Sequence, residues 1–113
     1  MHINENDEMI IGRNYDMLLR DKKFTESSLI CMDNKLCFVG HSDVFIGKVD
    51  GLNEQGLFIG MTLFPGEETR PGVNFYFAIR YILEHCHNVN EAVEVLRGFH
   101  TSLSNNYLVA DKN

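Results

Sequence analysis

The sequence predicts an α+β fold, an antiparallel sheet with two adjacent helices packed on one of its faces. Three observations carry this. Short apolar runs separated by turn residues occupy the chain as far as Phe64. From Val73 the hydrophobic period lengthens to that of a helix and stays there through two segments. One more apolar run, Asn106–Asp111, then returns the chain to the sheet. The 113 residues make one domain or part of one. A domain of this size buries roughly 65% of its unfolded surface, so a true core is expected.

Taken in order, Met9–Tyr15 reads as a strand after the turn-prone stretch at residues 4–8. Ser28–Met32 and Lys35–Val39 read as a hairpin turning at Asp33-Asn34. Val44–Val49 is the next strand, and Asp50–Gly56 reads as a turn. Leu57–Phe64 is almost wholly apolar, the pattern of a strand covered on both faces. The stretch Pro65–Gly72 is a loop. Phe75, Ile79, Ile82, Leu83 and Cys86 then fall on one helical face. A second helix starts at Asn88, with Glu91 three residues on to complete a capping box. Its stripe is Val89, Ala92, Val93 and Leu96, and Gly98 marks its stop.

Composition excludes several function classes. Ten Lys+Arg against sixteen Asp+Glu give a net charge of −6, with no basic cluster, so nucleic acid is not an expected partner. No apolar stretch is long enough to span a bilayer. Met1–Ile10 is polar and acidic, unlike a signal peptide. The three cysteines, 31, 37 and 86, are odd in number and lack metal-type spacing, which predicts a reducing compartment and a cytoplasmic location.

Few residues stand out as chemistry. Arg13 and Asp16 sit three apart in Gly12-Arg13-Asn14-Tyr15-Asp16, directly after an apolar run. On a regular strand they point to opposite faces, and a bulge after Gly12 would bring them to one spot. The plain alternative is a surface ion pair of little worth. His85 and His87 would diverge on a helix, so a helix-end pair is a better account than a metal site. Cys31 and Cys37 lie symmetrically about Asn34 and would face each other across a hairpin; buried structural thiols are the expectation. Phe75, Tyr76, Phe77 and Tyr81 read as core or as a pocket wall. Asp50–Gly56 lacks the alternating carboxylates of a calcium loop.

Together these segments resemble the linear amide hydrolases of the N-terminal-nucleophile superfamily. That group includes choloylglycine (bile salt) hydrolases, penicillin V acylases, acid-ceramidase-like amidases and the acyltransferase that makes penicillins. The matching stretches are Gly12–Asp16, His41-Ser42-Asp43 through Leu57, the second helix at Asn88–Val93, and Asn106–Asp111. The order and spacing are closest to the acyltransferase-like branch. The resemblance implies an αββα sandwich and a cysteine at the mature N-terminus, whose thiol attacks a linear, non-peptide amide. Its α-amino group, with a pKa of about 7.7–8.0, would be the base. Asp16 would orient that amine, Arg13 would favour the thiolate, and the end of the Leu57–Phe64 strand would lend a backbone N–H to the oxyanion hole. Thr62 is favoured over Leu63 for that N–H. No cofactor and no metal are implied.

The departures from the pattern are as informative. The family's cysteine would fall at or before Met1, and residues 1–30 contain none. Its oxyanion asparagine and second arginine would lie beyond the last strand. On this reading residues 1–113 form a single partial domain, roughly the first third of the catalytic unit, inactive alone. The substrate of the full-length protein would be a small-molecule amide. Partners left open are a second copy and a missing C-terminal portion. The alternative is a degenerate, non-catalytic homologue that serves as a binding or subunit scaffold, and a small independent α+β binding domain is a third.

Overall fold

The computed structural model describes residues 2–3, 8–16, 19–43, 47–64 and 69–112. Two short strands, β1 (His2–Ile3) and β2 (Met9–Ile10), pair antiparallel as a ribbon. A 3-10 helix, Leu19–Phe24, leads into β3 (Glu26–Ile30). There follow β4 (Phe38–Ser42), β5 (Asp50–Asn53) and β6 (Phe58–Leu63), then α1 (Phe75–His85), α2 (Val89–Gly98) and β7 (Asn105–Ala110). The last five strands form one antiparallel sheet in the order β3-β4-β5-β6-β7. The expected α+β arrangement is therefore present, with the helix pair connecting two neighbouring strands.

The register separates the two faces of the sheet. On the inner face Ile59 and Met61 pack with Ile79, Ile82 and Leu83 of α1 and Ala92 of α2. Helix α1 comes very close to two glycines, Gly51 in β5 and Gly47 in the segment leading into it. A Cβ on Gly51 would stand 2.6 Å from Leu83 Cδ1, and one on Gly47 would stand 2.4 Å from Tyr76 Cβ. Only glycine permits both approaches. On the outer face, cross-strand pairing lines up Leu29, Val39, Leu52, Phe58 and Ala110. Beside this apolar row runs a polar one of Ser27, His41 and Asp50.

Asn53 organises the β5–β6 turn from a buried position. Its Oδ1 accepts from the amides of Gln55 and Leu57, each at 3.1 Å. Its Nδ2 donates to the carbonyls of Leu83 (3.2 Å) and Cys86 (2.8 Å), tying the turn to the end of α1. Gly56 supplies the positive φ of +81° that the turn requires. Lys48 is also buried, its stem lying over Gly40 and its ammonium donating to Ser28 and Ser42. Burial pushes its pKa down, and the opposing pull of the Glu26 and Asp50 carboxylates offsets only part of the lost hydration.

Several expectations are corrected. The strand expected over Met9–Tyr15 stops at Ile10, and residues 11–16 run without a ladder. Asp50–Asn53, expected as part of a turn, is β5; Arg13 satisfies Asp50 and backbone groups satisfy Asn53, so polar residues sit in a strand. The strand expected over Val44–Val49 lies partly outside the described residues, and 47–49 are not in a strand. The hairpin turns at the expected place, but its paired strands, Glu26–Ile30 and Phe38–Ser42, lie farther from the turn than expected, with Ile30 opposite Phe38 as the last pair. Between them Cys31 and Cys37 form a disulfide with Cα atoms 4.4 Å apart. They do face each other, but as an exposed or half-buried bridge and not as buried thiols. The odd count is thus one bridge plus the buried thiol of Cys86, and the cysteine argument for a reducing compartment loses its premise. Among the described residues no helix is long and apolar enough to cross a membrane.

Candidate active site

Residues 11–16 leave the ribbon and run past the end of the sheet where β5 begins. Arg13 is the reason this segment is fixed without a ladder of its own. Its guanidinium donates to the carbonyl of Val49 (2.9 Å), to Asp50 Oδ2 (2.6 Å) and to the carbonyl of Met61 (2.8 Å). One side chain therefore clamps the start of β5 to the middle of β6. Gly60 leaves the room: a Cβ there would lie 3.2 Å from Arg13 Nη1.

Three residues on, Asp16 is exposed and has no partner among the described residues. Arg13 and Asp16 are not an ion pair, because the partner of Arg13 is Asp50. Both nevertheless line one cavity of about 500 Å³, together with Tyr15, Asp43, Thr62 and Tyr76. Thr62 stands near the exposed end of β6, opposite Asn106 of β7, and Leu63 opposite Asn105. Of the aromatic group at the start of α1, Phe75 is buried and lines the cavity with Tyr76, whereas Phe77 and Tyr81 are exposed.

Between β4 and α1, the Tyr15 hydroxyl donates to Asp43 Oδ2. Burial raises the Tyr15 pKa well above that of a free phenol, and the bond to Asp43 adds to it. Tyr76 is raised in the same way, first by burial and then by the Asp43 carboxylate beside it. Both phenols stay protonated and both face a negative group. The Tyr15 ring also meets His41 edge-on, with centroids 5.0 Å apart.

The sequence singled out Arg13, Asp16 and Thr62, and these share the cavity. It did not single out Asp43, Asp50 or Tyr15 as partners. Asp50 sat within an expected turn, and the Tyr15–Asp43 contact joins residues with no local signal linking them. None of the three cysteines lines this cavity. Burial pushes the Cys86 thiol up, away from nucleophilic use. His85 and His87 bind separate partners. His85 meets the carbonyl of Tyr81 and Lys35, while His87 pairs with Glu91 at 3.1 Å.

Residues 3–113 match the family model of acyl-coenzyme A:6-aminopenicillanic acid acyl-transferase. Among solved structures, penicillin V acylase from Agrobacterium tumefaciens superposes with a TM-score of 0.57 at 23% identity, over 68% of this chain and 27% of that one. An arginine-to-leucine variant of conjugated bile acid hydrolase from Clostridium perfringens superposes with a TM-score of 0.63 at 15% identity, over 79% of this chain and 38% of that one. At these identities the likeness is one of fold. This chain thus spans between a quarter and two fifths of the length of either structure. Among curated proteins none matches it.

Proposed function

Because the chain belongs to the acyl-coenzyme A:6-aminopenicillanic acid acyl-transferase family, we propose that it supplies the arginine–aspartate side of a cysteine amide hydrolase or acyltransferase site. The observation that supports this is the meeting of Arg13, Asp16 and Thr62 on one cavity, from segments far apart in sequence. The complete protein would cleave a small linear amide. The thiol of an N-terminal cysteine loses its proton to its own α-amine and attacks the carbonyl carbon. The oxyanion is held partly by the backbone N–H at Thr62, and the leaving amine takes the proton back. Water or a second nucleophile then resolves the thioester. Asp16, exposed and unpaired, is suited to hold the α-amine. Arg13 already shares its charge with Asp50, so it acts on the thiol as one end of a dipole and not as a full positive charge.

Residues 1–30 hold no cysteine, so the 113-residue chain should not turn over amides by this route. The nucleophile would come from polypeptide at or ahead of Met1, and the remaining oxyanion donors from polypeptide beyond the last strand or from a second chain. That same absence of cysteine favours, as the second reading, a non-catalytic homologue kept as a binding or subunit scaffold. The test is an assay with a chromogenic acyl amide, with and without iodoacetamide. It is run on this chain and on the product of the complete coding region around it. Iodoacetamide-sensitive turnover is expected only from the latter. No thiol-dependent turnover from either would leave the scaffold reading standing.

A further inference from the structure

Ser27 and Ser28 stand side by side on β3, and the strand turns them to opposite faces of the sheet. Each meets a basic side chain, with different consequences. On the inner face Ser28 accepts from the Lys48 ammonium at 2.8 Å, and a charged donor cannot take a proton from the hydroxyl it holds. On the outer face Ser27 Oγ lies 3.2 Å from Nδ1 of His41, its cross-strand partner on β4. Nε2 of that ring is enclosed and has no hydrogen-bond partner among the described residues. A proton kept on Nε2 leaves the Nδ1 lone pair to accept from Ser27, the relation of a nucleophile to its base. The Tyr15 ring, edge-on with centroids 5.0 Å apart, limits how the imidazole can turn.

The pair also opens on space. Ser27 is exposed, and both residues line a cavity of about 410 Å³ whose wall includes Met9, Val39, Leu52 and Phe58. That is room for a small, mostly apolar ligand. Asp50 stands opposite His41 on β5, but its carboxylate is committed to Arg13 at 2.6 Å, so Ser27 and His41 form a dyad without a third member among the described residues. We propose that Ser27 is a nucleophile served by His41, and that it takes the acyl group of uncharged short-chain esters seated in this cavity. The Ser27 hydroxyl proton passes to His41 Nδ1 as Oγ bonds to the ester carbonyl carbon. The C–O bond to the alcohol then breaks, and the departing oxygen takes the proton from His41. Water, losing a proton to Nδ1, attacks the Ser27 ester; the bond to Oγ breaks, Oγ takes that proton back, and a carboxylic acid leaves. With no third residue to steady the imidazolium, the reaction suits esters of good leaving groups such as phenols. No thiol takes part, so this chemistry stands apart from the cysteine reading of the Arg13–Asp16 cavity.

The test uses the 113-residue chain, with p-nitrophenyl butyrate as the ester and paraoxon, an aryl phosphate triester that phosphorylates activated serines, as the trap. Release of p-nitrophenol is followed against the buffer rate, and the trapped protein is read by intact mass and peptide mapping. One phosphoryl group on Ser27 is expected, with ester turnover that iodoacetamide leaves unchanged. Ser27→Ala should remove the adduct and cut turnover about tenfold or more, and His41→Gln should slow trapping about a hundredfold. Ser28→Ala should change neither. An adduct on another residue, or none, would overturn the proposal. So would unchanged turnover in Ser27→Ala, because an exposed imidazole can cleave such an ester by itself. Trapping at the parent rate in His41→Gln would reject the base. If His41→Gln loses the native spectrum, trapping at Ser27 with Ser28 untouched still decides, since a serine without a base does not react with paraoxon. Iodoacetamide-sensitive amide turnover by the complete protein reports on the cysteine reading alone.

Discussion

At the scale of single residues, polar side chains with several bonds hold more of this fold than their number suggests. Asn53 is the clearest case, because four backbone groups from the β5–β6 turn and the end of α1 converge on one amide. Asn53→Ala leaves those groups unpaired in a buried place and should cost about 2–4 kcal/mol, read from urea unfolding. A loss below about 0.5 kcal/mol would mean that the turn and helix are held by other contacts. Residues of this kind were only half legible in the sequence. Arg13 and Asp16 stood out because charge follows an apolar run, and both do reach one cavity. Their partners did not stand out: Asp50 and Asp43 acquire their roles only when distant strands bring them to residues 13 and 15.

At the scale of elements, the helices were the most readable parts because their signals are local. Asn88 caps α2 by accepting from the Glu91 amide at 3.0 Å, and the Glu91 carboxylate returns to the His87 amide at 2.8 Å and to Asn88 Nδ2 at 2.9 Å. Asn88→Ala should therefore cost about 1 kcal/mol. The bonds from His87, first the backbone and then the side chain, hold the Glu91 pKa below its ordinary value. A carboxyl depressed in the folded state stabilises it above the unfolded pKa of about 4.3, and that contribution fades as pH falls through the lower folded value. Thermal midpoints measured from pH 6 down to pH 3 should fall more steeply for the parent chain than for Glu91→Gln. Parallel curves would show that the capping carboxylate carries no proton linkage. Strands were harder to read. β3 begins Glu26-Ser27-Ser28 and β5 begins at Asp50, sequences whose strand character comes from neighbours and not from apolar alternation. The 3-10 helix Leu19–Phe24 buries no side chain, so no periodic signal marked it.

At the scale of the whole molecule, the sheet is covered unequally. Its inner face carries both helices, while on the outer face Leu29, Val39, Leu52 and Leu108 are 70%, 52%, 44% and 48% exposed. The ribbon β1–β2 lies toward this side, since Met9 and Ile11 share a cavity with Val39, Leu52 and Phe58. The αββα layering implied by the family resemblance puts a second sheet there, and only two short strands of one are present in the described residues. The isolated chain should therefore self-associate with rising concentration in sedimentation velocity. A Leu29→Thr, Val39→Thr, Leu52→Thr variant should stay monomeric at the same concentrations. A parent chain that is monomeric throughout would mean that the ribbon covers the face well enough. The sheet margins are of another character. The rim strand β3 opens on Glu26, Ser27 and Ser28 and runs into the disulfide-closed loop, and β7 opens on Asn105 and Asn106. The polar residues that open both rim strands discourage a neighbouring molecule from adding strand to strand at those ends, the route by which fibrils template. The protein is thus built to thicken by stacking a layer on its face, and at the polar start of β3 to resist widening.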